Sequence, residues 1–178
     1  MGERDCDWMS VSFLTGVTGL VGSELLGPLL DAMPDRRVIL LVRDPRKIPP
    51  RGHDARVTAV EGDLARPDLG LQPATLRRIG KEVTEIIHCA ADTRFRLPLE
   101  QARATNTHGT ANLLKVARSC RRLEKFAHVS TAYVAGRRTG HIAEEVLGEH
   151  SGFINTYQQS KYEPVDNGLY PILRAWSR

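Results

Sequence analysis

Val11-Ser12-Phe13-Leu14-Thr15-Gly16-Val17-Thr18-Gly19-Leu20-Val21-Gly22 is the stretch whose reading decides the fold. Val11 to Leu14 is a short apolar run of strand type. From Leu20 to Met33 the leucines Leu25, Leu26, Leu29 and Leu30 recur at the spacing of one helix face. Between strand and helix, Gly16, Gly19 and Gly22 stand three residues apart. A phosphate can approach a backbone only where no Cβ intervenes, and the helix start behind such a turn offers free N–H groups and a positive dipole end. In this strand–turn–helix setting the pattern predicts a dinucleotide-binding turn, with Gly16, Thr18, Gly19, Leu20, Val21 and Gly22 as its candidate residues. A glycine turn used only for tight strand–helix packing is the alternative.

Outward from the turn, short apolar runs alternate with longer amphipathic stretches. Val38 to Val42 is an unbroken β-branched and leucine run, as expected of a strand covered on both faces. Pro45, Pro49, Pro50 and Gly52 mark a loop after it. Further strands are expected at Val57 to Val60, Glu85 to Ala90 and Phe126 to Ser130, and helices at Thr75 to Glu82 and Leu99 to Cys120. Strand and helix in regular alternation predict right-handed crossovers and an α/β fold, a doubly wound parallel sheet of Rossmann type.

The 178 residues suffice for one well-buried domain and not for two large ones. A single nucleotide-binding domain is therefore expected over residues 1–178, with 1–8 a flexible tail and 162–178 an atypical end. The net charge of +4 is spread along the chain, and no Lys/Arg run is interleaved with aromatics, which disfavours nucleic-acid binding. Cys6, Cys89 and Cys120 are too few and too far apart for a disulfide framework or a CxxC metal site, and Cys89 reads as a small core residue. His88 and His128 fall on expected core strands, and His53, His108, His141 and His150 show no metal-ligand spacing, so no metal site is expected. No apolar secretion signal opens the chain and no stretch has the length of a membrane span, so a reducing cytoplasmic compartment is the expectation.

The second strand should end near the adenosine ribose, where an acidic residue about 20 positions past the turn suits NAD(H) and an arginine suits the 2′-phosphate of NADP(H). Arg43 stands 21 positions after Gly22, with Asp44 behind it. NADP(H) is thereby favoured over NAD(H); Arg43 as a solvated charge with Asp44 on the ribose is the alternative.

Tyr157-Gln158-Gln159-Ser160-Lys161 puts a phenol and an ammonium on one face of a helix, if the segment is helical. A cation beside a phenol favours the phenolate, and such a pair can exchange a proton with a carbonyl or alcohol oxygen while hydride moves to or from a nicotinamide. Alone, a YxxxK match usually marks an exposed helix face. Here it follows a glycine turn and five strand–helix repeats.

From Val11 to Lys161 the chain resembles the extended short-chain dehydrogenase/reductase family. The resemblance rests on the turn itself, Gly62-Asp63-Leu64, Cys89-Ala90-Ala91, Asn106-Thr107-His108-Gly109-Thr110, Ser130-Thr131-Ala132-Tyr133-Val134, Tyr157 and Lys161. Leu41-Val42-Arg43, Leu69-Gly70-Leu71, Ile87 to Ala91 and Val129 to Val134 are most similar to its thioester-reductase and fatty-acyl reductase (male-sterility-like) branch, which reduces acyl thioesters with NADPH. The resemblance implies that Gly16, Gly19 and Gly22 line the pyrophosphate and Arg43 meets the 2′-phosphate. Asp63 and Leu64 would flank the adenine, and Ala90 and Ala91 would pass behind the ribose and nicotinamide. Asn106 would support the proton relay, Thr131 would hydrogen-bond the substrate carbonyl, Tyr157 would donate the proton, and Lys161 would hold the nicotinamide ribose. Read singly, Asn106 could be an ordinary helix-surface amide and Thr131 a satisfied strand end. The implied partner is a small carbonyl compound or acyl thioester, free or presented on a carrier, and a homo-oligomer is compatible with the fold. A nucleotide-sugar epimerase or dehydratase, or a catalytically silent nucleotide-binding module, are the other readings.

Pro164, three residues after Lys161, departs from the family pattern: it is expected to end the helix and bias Glu163 to extended backbone. A helix from Asn155 to Tyr162 would then span only about two turns, marginal without tertiary support. Leu169 to Arg174 resembles a sixth strand. Beyond it the substrate-binding region of the family would be missing, as in a fragment, a truncated product or a chain whose partner supplies that part, so nucleotide binding is expected to outlast turnover.

Overall fold

Alternation within the second strand shows how the sheet is buried. In β2 (Arg37–Val42), Val38, Leu40 and Val42 face one side, and Ile39 and Leu41 the other; all five are buried. The computed structural model describes residues 10–143 and 151–164. Its five strands are β1 (Val11–Thr15), β2, β3 (Val57–Glu61), β4 (Glu85–His88) and β5 (Lys125–His128). All pair in parallel, in the order β3-β2-β1-β4-β5. This is the doubly wound Rossmann arrangement expected from the sequence.

Helix α1 (Leu20–Ala32) covers one face with Leu26 and Leu30. The opposite face is covered by α2 (Pro73–Glu82), through Ile79, and by α4 (Gly109–Ser119), through Leu113, Leu114, Val116 and Ala117. The two strands β4 and β5 stop at His88 and His128, so Cys89-Ala90-Ala91 and Val129-Ser130-Thr131 emerge as loops at the carboxyl edge of the sheet rather than as strand ends.

The long helix expected over Leu99–Cys120 is divided. A π-helical segment, Ala104–His108, separates α3 (Leu99–Arg103) from α4 and carries Asn106 and Thr107 inward. Such wide turns re-aim side chains that a regular helix would place elsewhere.

The expected helix break at Pro164 is corrected by the structure: α5 (Thr156–Pro164) includes both Glu163 and Pro164. The cause lies in Thr107, 53 residues before Ser160, and in Arg103, 60 residues before Glu163. A proline at 164 cannot donate to the carbonyl of Ser160, but the single Thr107 hydroxyl hydrogen is shared between that carbonyl, at 3.0 Å, and the Glu163 carboxylate, at 3.1 Å. Glu163 is held by the Arg103 guanidinium, with contacts of 2.5 to 3.1 Å. Tertiary bonds thus replace the missing intrahelical one. The expected tail at 1–8 and the expected strand at Leu169–Arg174 lie outside the described residues.

Candidate cofactor cleft and catalytic helix

Strand order reverses between β1 and β4, and ligands of open α/β sheets bind outside the carboxyl ends at such a point. A cleft of about 270 Å³ opens there. It is lined by Gly16, Thr18, Gly19, Arg43, Asp63, Leu64, Ala90 and Ala91, all singled out in the sequence. Thr15, Gly62, Cys89 and Thr105 also line it and were not singled out as site residues. Cys89, one residue past the strand end, is half-buried: it packs against the core cluster beneath α1, as expected, and also lines the cleft.

The three glycines of the turn do different work. Gly16 has φ +80°, and a Cβ there would lie 2.5 Å from the Ala90 amide nitrogen. A Cβ at Gly22 would lie 2.4 Å from the Gly16 carbonyl oxygen, so Gly22 lets α1 pack on the turn. Gly19 has ordinary extended backbone (φ −94°), and its Cβ would meet nothing nearer than 3.4 Å. Leu20 and Val21, 80% and 52% exposed, and Gly22 do not line the cleft; their backbone N–H groups belong to the first turn of α1, which has no intrahelical acceptors for them.

Arg43 is exposed at the tip of β2 and lines both the cleft and an adjoining hollow of about 600 Å³, which Asp63 and Arg66 share. The neighbouring carboxylate is engaged elsewhere. Asp44 accepts from the Arg46 amide at 3.1 Å, capping the 3₁₀ turn Pro45–Lys47, and from its guanidinium at 2.9 and 3.0 Å. These bonds hold the Asp44 carboxyl below the usual carboxylate range.

On the other side of the sheet's edge, α5 buries both Tyr157 and Lys161. Lys161 Nζ donates to the Val129 carbonyl at 2.9 Å and stands 3.4 Å from His128 Nε2. Burial lowers the Lys161 pKa to about 8, opposed by the nearby Cys89 thiol. The Tyr157 ring lies 5.6 Å from Phe95, which meets Tyr133 edge-on at 6.4 Å. Phe95 and Tyr133 are about half exposed and form an aromatic wall beside α5. The Thr131 hydroxyl accepts from the Tyr133 amide at 3.2 Å, which leaves its own hydrogen free to donate.

Asn106 is buried, not the helix-surface amide that was the other reading. Its Oδ1 accepts from the Asp92 amide at 2.8 Å, and its Nδ2 donates to the Asp92 carbonyl and the Ser160 hydroxyl, each at 2.9 Å. Both Nδ2 hydrogens are spent, and the side chain clamps the loop after β4 to α5. No signal in the sequence pairs Asn106 with Ser160, 54 residues away. Among the described residues no His/Cys/Asp/Glu group could hold a metal ion, and no helix is long and apolar enough to cross a membrane.

A parallel sheet with a glycine turn at its switch point and a buried Tyr–Lys pair beyond β5 defines a nucleotide-binding domain of the extended short-chain dehydrogenase/reductase class. The family model described as male sterility protein, an NAD-binding family, matches residues 14–164, and the chain belongs to that family, the thioester and fatty-acyl reductase branch of the class. The fatty acyl-CoA reductase wat of Drosophila melanogaster is 28% identical over 195 residues, covering 84% of this chain and 38% of its own length. The crystal structure of the terminal R domain from the myxalamid PKS-NRPS biosynthetic pathway superposes with a TM-score of 0.80 at 30% identity, over 95% of this chain and 46% of that one. The Helicobacter pylori ADP-L-glycero-D-manno-heptose-6-epimerase, 24% identical with a TM-score of 0.68 over 95% of this chain and 54% of its own, shares the fold. The chain thus spans less than half the length of either reductase relative.

Proposed function

We propose that this domain binds NADP(H) and serves hydride transfer to an acyl thioester, with Tyr157 as proton donor. The observation that carries the nucleotide site is Gly19. Gly16 and Gly22 are glycines because the fold leaves no room for a Cβ, whereas Gly19 has room and ordinary backbone angles. As the N-cap of α1 it could be replaced by serine, threonine or aspartate without a clash, so a glycine at this place, at the mouth of a cleft and the start of a helix, fits a phosphate that needs the bare backbone.

The preference for NADP(H) is supported by Arg43, which faces the cleft while Asp44 is occupied by Arg46 and so is poorly placed to accept a ribose hydroxyl. Gly16, Thr18 and Gly19, with the amides of Leu20, Val21 and Gly22, would take the pyrophosphate. Asp63 and Leu64 would flank the adenine, and Ala90 and Ala91 would back the nicotinamide half. Lys161 would bind the nicotinamide ribose, and the cofactor would supply the hydride. Thr131, its hydroxyl hydrogen free, would donate to the thioester carbonyl, and Asn106 would act by fixing α5. An acyl thioester, free or on a carrier, is the substrate class favoured by the reductase relatives. The free thiols Cys89 and Cys120 suit a reducing compartment such as the cytoplasm.

Calorimetric titration tests the cofactor assignment. NADPH is expected to bind more tightly than NADH, and Arg43→Gln to erase most of that difference, on the order of tenfold for a lost charged contact. Equal affinities of the native chain for the two nucleotides would remove Arg43 from the site.

A further inference from the structure

Thr15, at the floor of the cleft, and Asn106, on the π segment, are joined by a buried chain of hydrogen bonds whose directions can all be assigned. The Thr110 hydroxyl lies 2.6 Å from the Asn106 carbonyl oxygen, which can only accept, so Thr110 spends its one hydrogen there. Toward His88 Nε2, 3.0 Å away, Thr110 can then only accept, and Nε2 must carry the hydrogen. Burial, His128 and Lys161 all keep His88 neutral, so its single N–H is this one. Nδ1 is therefore an acceptor, and the Thr15 hydroxyl donates to it at 2.7 Å. Thr15 retains a lone pair for the Ala90 amide at 3.3 Å.

From Asn106 the chain continues through the Ser160 hydroxyl, which donates to the Tyr157 carbonyl at 3.0 Å. Thr15, His88, Asn106, Thr110 and Ser160 are each no more than 1% exposed, so no water competes for these bonds. The imidazole is the member that spans the gap: its two nitrogens reach β1 on one side and α4 on the other.

We propose that His88 is a positioning residue which, as the Nε2–H tautomer, joins the cleft floor at Thr15 and Ala90 to the Asn106 clamp and hence to the Tyr157 helix. Nucleotide seated against Ala90 is thereby held in register with α5. The benefit to catalysis rests on the function proposed above; the linkage itself does not, and it can be read in the ligand-free chain.

Amide hydrogen exchange and imidazole ¹⁵N NMR on the native chain test it. Thr110→Val keeps the shape and removes the hydroxyl. It should speed exchange at the Ala90 and Asp92 amides, which lie on β4's loop and not on α4, by about tenfold, the loss expected for one broken buried link. It should also abolish the Nε2–H preference of His88. Thr110→Ser should restore native exchange and the native tautomer. His88→Phe should reproduce the Thr110→Val pattern if it folds, and the Thr110 pair decides the matter if it does not. Unchanged Ala90 exchange in Thr110→Val, or an Nδ1–H tautomer in the native chain, would overturn the proposal. Failure of the native chain to bind NADPH would instead count against the proposed function and leave these readouts standing.

Discussion

At the scale of single residues, the candidate site divides into groups whose identity the fold demands and groups it does not. Gly16 and Gly22 belong to the first set, and Gly19, Arg43 and Thr131 to the second. Tyr157 also belongs to the second: its ring packs on Phe95, a contact a phenylalanine would keep. Tyr157→Phe should therefore fold and bind nucleotide as the native chain does, while thioester reduction in any active form falls by at least about a hundredfold, the range for a lost general acid. Aldehyde formation and NADPH oxidation measured together check this. Native-like turnover would take Tyr157 out of the mechanism.

At the scale of elements, α5 is the instructive case. A nine-residue helix ending in proline has little intrinsic stability. It persists because Thr107, Arg103 and Asn106 bond to it from the neighbouring helical segments. Thr107→Val leaves the Ser160 carbonyl without that donor. It should destabilise the protein by about 1 kcal/mol and fray α5 from its proline end; urea denaturation and exchange at residues 160–163 measure both. The strand at Val38–Val42 was legible because burial on both faces writes an unbroken apolar run. The continuation of α5 through Pro164 was not, because a local rule about proline was overridden by a hydroxyl 53 residues away. The π segment was likewise illegible: Ala104 to His108 carries no break in composition, and only the inward pull on Asn106 marks it.

At the scale of the whole molecule, two histidines under the carboxyl edge tie its acid stability to the site. His128 is lowered to about 3, mainly by burial and then by Lys161, and His88 is also well below the ordinary value of 6.5. Both are neutral when folded and take up protons when unfolded, so stability is fully present above about pH 6.5 and is lost as pH falls below it. Between pH 7 and 5 the loss due to His128 should be on the order of 2 kcal/mol, with His88 adding to it in the same direction, and His128→Phe should remove the His128 part of the slope. A urea midpoint that does not move over that interval would contradict the buried neutral pair. The parallel sheet and the place of the cleft were readable from the alternation of strands and helices and the glycine spacing. The polar connections beneath them were not, because Thr15, His88, Thr110 and Asn106 look unremarkable one at a time and become a unit only when β1, β4 and α4 meet.

The most direct test of the nucleotide site is calorimetric titration of NADPH into the native chain and into Gly19→Ala, with the melting temperature of each. The site predicts one NADPH per native chain and a melting temperature lowered by only about 2–4 °C in Gly19→Ala, because a Cβ at residue 19 has room and alanine is simply a poorer N-cap than glycine. It predicts an affinity in Gly19→Ala reduced by at least about tenfold, because that Cβ stands where phosphate must approach. Equal NADPH affinity in the two proteins, or no binding by the native chain, would contradict it.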